Sequence, residues 1–147
     1  MTKVKVLRDD EEIMSSLEVM KQLRQEFQQE TPDNYLRQVR KMEQKYQYRL
    51  AAAFDQDEIR AVIGFRVEEN FAWGRYMCVD EFVTDQKYRG KGYGQILFDW
   101  LVQEAKTKRC QQIHLDSGVP VHRHAAHRFY VKNNMIISCH HFETDLI

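Results

Sequence analysis

Three glycines in five residues, Gly90, Gly92 and Gly94, stand between a strand-like run from Met77 to Thr84 and an amphipathic helix, with Arg89 and Lys91 among them. That junction is suited to holding a phosphate. Residues without Cβ atoms accept positive φ and let a ligand approach the main chain, while the free N–H groups and positive dipole end of the following helix attract an anion. The same residues would equally serve a tight strand-to-helix turn with no ligand, so the flanking sequence has to decide. The nucleotide-triphosphate loop ends in Gly-Lys-Ser/Thr, and here Gly92 is followed by Tyr93, which excludes it. The dinucleotide fingerprint is closer, because Gly90 and Gly92 take its first two glycine positions and Asp116 lies near where a ribose-binding acid would fall. Its third glycine is Gln95, however, and a long helical and then antiparallel-looking region precedes the loop where a βαβ unit should open.

The spacing resembles the acetyl-CoA loop of the GCN5-related N-acetyltransferases (GNAT), whose pattern is Gln/Arg-x-x-Gly-x-Gly/Ala; Arg89, Gly92 and Gly94 fill it. Upstream, Val79-Asp80-Glu81-Phe82-Val83-Thr84 resembles the family's acidic-then-apolar fourth strand, and downstream Ala126-His127-Arg128-Phe129-Tyr130 resembles its tyrosine-bearing helix. The specific likeness covers residues 76 to 135 or so. It implies transfer of an acetyl group from acetyl-CoA directly to a primary amine in a ternary complex. It further implies that the backbone from Arg89 through Gly90, Lys91, Gly92, Tyr93 and Gly94 takes the pyrophosphate, that Phe82 and Val83 offer main-chain groups to the pantetheine arm and thioester oxygen, and that Tyr130 protonates the departing thiolate. Two positions depart from the pattern: Arg123 stands where an asparagine often precedes the tyrosine by seven residues, and Asn134-Met135 replaces a terminal Gly-Phe pair.

Such chemistry needs a deprotonated amine, and a carboxylate acting directly or through water is the economical base near neutral pH. Asp80 and Glu81 are the candidates. Adjacent strand residues point to opposite faces, so only one of them is expected to reach the substrate; Glu81 is preferred, and the alternative is that both are solvated or paired carboxylates that merely attract a cationic amine. Tyr130 beside Phe129 would also be at home in a core with its hydroxyl satisfied. The competing class for the whole chain is a module that binds or senses acyl-CoA without turnover; a carboxylate and a tyrosine in the family's places favour an enzyme.

The elements that must position these groups follow from periodicity. Lys3 to Arg8 alternates as a strand, and Ile13, Leu17, Met20 and Phe27 recur at helical spacing behind the acidic Asp9-Asp10-Glu11-Glu12. Thr31 as N-cap and Pro32 at the first position open a second helix ending near Tyr46. Period-two patterns over Tyr48 to Phe54 and Ile59 to Val67, joined at Asp55-Gln56-Asp57, predict a hairpin. Met77 to Thr84 is the next strand; Tyr93 to Ala105 a helix, Gln112 to Asp116 a strand, His122 to Asn133 the last helix, and Ile136 to Leu146 a closing strand. The prediction is a single α/β domain over 1–147, a mixed sheet of six or seven strands flanked by about four helices. A short or missing edge strand would be remedied by a partner chain, so a homodimer is expected.

At 147 residues the chain fits one domain, and with 43% hydrophobic residues it is globular rather than disordered. Lysine plus arginine equals aspartate plus glutamate at 22 each, so no overall basic field argues for nucleic acid or an anionic membrane. The charged start, Met1-Thr2-Lys3-Val4-Lys5-Val6, lacks the apolar stretch of a signal peptide. Cys78, Cys110 and Cys139 are odd in number and widely spaced, which reads as reduced thiols in the cytoplasm. His114, His122, His124, His127, His140 and His141 carry no metal-ligand spacing, and no metal is expected; one imidazole lining the acceptor pocket would be an alternative base. Nothing in the pattern identifies the acceptor, which ranges from small amines to protein lysines or N-termini.

Overall fold

Period-two burial organises the chain around a central sheet. In the computed structural model, which describes all 147 residues, the chain forms two compact units, Met1–His114 and Leu115–Ile147. The sheet has the order β1-β2-β3-β4-β5, with β1 (Lys3–Val6), β2 (Arg49–Asp55), β3 (Glu58–Asn70) and β4 (Gly74–Thr84) successively antiparallel and β5 (Gln112–Leu115) beside β4.

Alternation divides the first unit's apolar residues between two layers. On one face Leu50, Ala52, Val62 and Val83 form a buried cluster with Leu7, Ile13, Leu17, Met20, Tyr35 and Val39, the last six brought by the N-terminal segment and its helices. On the other, helix α4 (Tyr93–Thr107) buries Leu97, Phe98, Leu101 and Ala105, with Phe82 stacked on Phe98 and Phe65 set edge-on to Trp100.

Local signals set the element ends. Asp9 accepts a hydrogen bond from Glu12 N and opens α1 (Asp10–Ser15). Ser16 interrupts the expected first helix, so that α2 (Leu17–Leu23) follows as a separate segment; its buried hydroxyl donates back to the Ile13 carbonyl and shares a hydrogen bond with Tyr35 Oη at 2.8 Å. Thr31 caps α3 (Pro32–Tyr46), and Gln47 ends it at φ 57°. Gln56 and Asp57, both at positive φ, turn the β2–β3 hairpin as expected. The β3–β4 hairpin is longer than the periodicity indicated. It runs on through the aromatic stretch to a turn at 71–73, where Asn70 Oδ1 accepts from Trp73 N and Gly74 takes φ 66°.

In the second unit a short 3-10 turn (Val121–Arg123) leads into α5 (His124–Lys132). Asn134 adopts the left-handed conformation at φ 66°, and Met135 N donates to the Tyr130 carbonyl, so asparagine serves as the helix terminator that a glycine would otherwise provide.

The strand count corrects the sequence expectation from six or seven to five. Ile136 to Leu146 forms no strand, and Ile136, Ile137, Phe142 and Leu146 are exposed. An alternating run becomes a strand only when a neighbour takes up its ladder hydrogen bonds, and no strand of the five-stranded sheet pairs with residues 136–146.

Candidate active site

Gly64 pairs with Glu81 and Phe65 with Val79, which leaves Asp80 as an extra residue on β4 opposite the Gly64–Phe65 step. This β-bulge overturns the expectation that Asp80 and Glu81 face opposite ways. Gly64 and Arg66 lie two apart on β3 and share a face; Glu81 reaches the Gly64 position, and Asp80 reaches Arg66. The inserted residue resets the alternation, and both carboxylates come to one side.

Each carboxylate there has its own cation. Asp80 takes a bidentate pair from Arg66, Nε to Oδ2 at 2.6 Å and Nη2 to Oδ1 at 2.9 Å, and Arg66 Nη1 continues to Glu68 at 2.5 Å. Its hydrogen bonds to the Asp80 carboxylate push the Arg66 guanidinium above its ordinary value, so Arg66 is a permanent cation. Burial, then the Asp80 charge, raises the neighbouring Cys78 thiol to about 11, which leaves it a poor nucleophile at neutral pH.

Glu81 is held differently. Tyr48 Oη donates to its Oε1 at 2.5 Å, and Arg24 Nη2 reaches its Oε2 at 2.7 Å while also donating to the Asp80 carbonyl at 2.7 Å. Tyr48 is 4% exposed. Burial first, then the Glu81 charge, raises its phenol well above the ordinary value, so the proton stays on Tyr48. Gly64 makes the approach feasible, because a Cβ there would overlap Tyr48 Oη and lie 2.8 Å from Glu81 Oε1. Asp80 has both oxygens on one bidentate guanidinium, whereas Glu81 has one oxygen on Arg24 and the other on a tyrosine hydroxyl that can turn from donor to acceptor.

The glycine loop follows from the same strand. After Thr84 a 3-10 turn (Gln86–Tyr88) brings Arg89 in extended conformation to Gly90 at φ 77° and Gly92 at φ 91°, and α4 starts at Tyr93. Both glycines hold conformations that L side chains rarely adopt, and a Cβ on either would meet nothing within 4 Å. Gly92 is the N-cap and supplies no side-chain acceptor to the first turn of α4. The space beside both glycines is therefore open. Gly94 has another role: a Cβ there would lie 3.0 Å from Thr84 Oγ1, so its absence lets α4 close on β4.

Beneath the loop lies a support that sequence reasoning missed. Arg60, 5% exposed, places its guanidinium 3.7 Å from the centroid of the Tyr88 ring, and its Nε has no hydrogen-bond partner. Tyr93 Oη donates to Asp55 Oδ2 at 2.6 Å. Asp55 and Arg60 flank the β2–β3 turn about 30 residues before the loop, and only the strand pairing brings them to it.

Of the remaining expected residues, Phe82 stacks on Phe98 and Val83 joins the buried cluster, so their side chains are structural. Tyr130 lies in the second unit on α5. Burial raises its phenol, and a hydrogen bond and charge from Arg123 partly offset this, leaving it protonated at neutral pH. Arg123, the departure from the family asparagine, has its Nη2 at 3.5 Å from Ser117 Oγ. His127 pairs with the Gly118 carbonyl at 2.7 Å, His141 lies 3.3 Å from Asp116, and His114 stacks on Trp73 at 3.7 Å between centroids. No group of three or more His, Cys, Asp or Glu side chains is arranged to hold a metal ion.

The scaffold is thus a five-stranded sheet with a glycine loop opening α4 and acidic residues just upstream on β4. The profile of the acetyltransferase (GNAT) family matches residues 16–135, and the chain belongs to that family. An uncharacterized N-acetyltransferase of Bacillus subtilis (strain 168), YhdJ, is 33% identical over 130 residues, 88% of each chain. Among solved structures, a Trypanosoma brucei acetyltransferase superposes with TM-score 0.79 at 21% identity over 99% of this chain and all of that one. A transcriptional regulator from Bacillus halodurans gives 0.83 at 18% over the same shares. An aminoglycoside acetyltransferase from an uncultured soil metagenomic sample, in complex with sisomicin, gives 0.82 at 14% over 99% of this chain and 97% of that one. These structures share the fold.

Proposed function

We propose that the chain is an acetyl-CoA-dependent N-acetyltransferase that moves the acetyl group directly to a primary amine in a ternary complex. The observation that carries this reading is one strand, β4, with Glu81 held in a polar cluster and, at its end, a loop with two positive-φ glycines and an uncapped helix start. Amides from Arg89 to Gly94 bind the pyrophosphate, with Lys91 and Arg89 adding charge. Main-chain groups of Phe82 and Val83 take the pantetheine arm and thioester oxygen, as the family resemblance implies. Glu81, directly or through one water, removes the amine proton. The amine nitrogen then bonds to the thioester carbonyl carbon as the carbon–sulfur bond breaks, and Tyr130 returns a proton to the thiolate. Tyr48 and Arg24 fix the Glu81 carboxylate. Asp80, neutralised by Arg66, shapes the site and takes no proton.

The family match crosses the boundary between the two units, which supports one N-acetyltransferase domain over 1–147. Three unpaired cysteines fit the cytoplasm as the place of work. Five strands rather than six or seven, with four-residue strands β1 and β5 ending the sheet, support a homodimer that covers an edge.

The test is release of free thiol from acetyl-CoA in the presence of a panel of primary amines. Amine-dependent release that is lost in Glu81→Gln is the expected result. CoA binding without turnover of any amine would leave a binding module instead.

A further inference from the structure

The two arginines at the carboxylate pair are not equivalent. Arg66 commits all three nitrogens, Nε and Nη2 to Asp80 and Nη1 to Glu68. Arg24 commits only Nη2, whose two hydrogens go to the Asp80 carbonyl and to Glu81 Oε2. Its Nη1 and Nε have no protein partner, and neither counts among the buried polar atoms that lack one, so their three N–H donors face solvent. The Arg24 side chain is 35% exposed, and it touches the carboxylate assigned as the base.

We infer that the acceptor is a small free α-amino acid, its amine set against Glu81 and its carboxylate taken by the uncommitted Nη1 and Nε donors of Arg24. The inference rests on the reading of this site as an N-acetyltransferase. A cation and an anion in direct contact complement a ligand whose own opposite charges are close together, and an α-amino acid separates its amine from its carboxylate by a single carbon. A plain amine or a peptide N-terminus leaves the Nη1 and Nε donors of Arg24 without a ligand partner, and an amine with a remote anionic group cannot span an adjacent pair. Arg24 is then a specificity residue. Its position just after α2, 57 residues from Glu81 in sequence, gives it no motif to be recognised by.

The experiment measures kcat/KM by thiol release for leucine, methionine, phenylalanine and glutamate, each beside its α-amide and its decarboxylated amine. The expected result is a preference for at least one free acid over its amide of about tenfold to a hundredfold, the size of a charge-assisted hydrogen bond lost. In Arg24→Gln that ratio falls toward one, mainly through KM for the acid. Arg24→Lys keeps the charge without the planar donors and gives an intermediate ratio, which serves if the glutamine variant does not fold. Equal use of acid and amide by the wild type, turnover of amides or decarboxylated amines alone, or an unchanged ratio in folded Arg24 variants would each overturn the inference while leaving an N-acetyltransferase. Failure to acetylate any compound, including the amides and amines, would overturn the underlying activity and the inference with it.

Discussion

Tyr48→Phe removes one oxygen from the most buried contact of the site. The lost hydrogen bond runs to a carboxylate at 2.5 Å from a residue only 4% exposed, and hydrogen bonds to charged groups contribute about 1.5–3 kcal/mol to stability. Glu81 keeps Arg24 on its other oxygen, and its side chain is 18% exposed, so water replaces part of what is lost. The lower half of the range then applies, about 1.5–2 kcal/mol, or a fall in Tm of about 3–8 °C for a chain of this size. Part of that loss reflects the cavity and the unfolded state, so the single variant does not isolate the contact. Urea unfolding of wild type, Tyr48→Phe, Glu81→Gln and the double variant does. The expected coupling is at least about 1 kcal/mol, accompanied in Tyr48→Phe by a lower kcat with CoA affinity unchanged. A coupling within about 0.5 kcal/mol of zero would mean that the two side chains act independently, and the account of Glu81 as a base positioned by Tyr48 would fail.

Tyr130→Phe keeps the ring and removes the hydroxyl proposed as the acid: kcat should drop about a hundredfold to ten-thousandfold with Tm and the CoA dissociation constant nearly unchanged, and wild-type turnover under chemistry-limited conditions would make Tyr130 a packing residue. Gly92→Val places a branched side chain at φ 91° on the open side of the cradle, so CoA affinity by calorimetry should fall more than about tenfold; an unchanged affinity in folded protein would displace the phosphate site. Arg60→Met removes the cation stacked on Tyr88, and loss of a cation–π contact worth about 0.5–2 kcal/mol should weaken CoA binding by about twofold to thirtyfold. Burial raises Tyr35 from 10.0 to about 12, so above pH 10 the unfolded chain releases a proton that the folded chain retains. Its contribution is complete below pH 10 and lost by about pH 12, roughly 2–3 kcal/mol in all, and urea unfolding of Tyr35→Phe should show a correspondingly flatter alkaline decline.

What the chain specifies locally was legible without coordinates. The cap at Thr31 with Pro32, the turn at 55–57, the glycine loop and the asparagine terminator of α5 each depend on residues within a few positions of one another, and their conformational preferences act at that range. The family resemblance rested on such contiguous stretches. Tertiary structure decided the rest. Alternation placed Asp80 and Glu81 on opposite faces, and a bulge in the β3–β4 ladder set them together, because an inserted residue is defined only against the partner strand. Tyr48 and Arg24 became the partners of Glu81 from 33 and 57 residues away, and Arg60 came to lie beneath the loop through strand pairing. The run from Ile136 to Leu146 has a strand's alternation yet forms none, since a ladder needs two participants and periodicity describes only one.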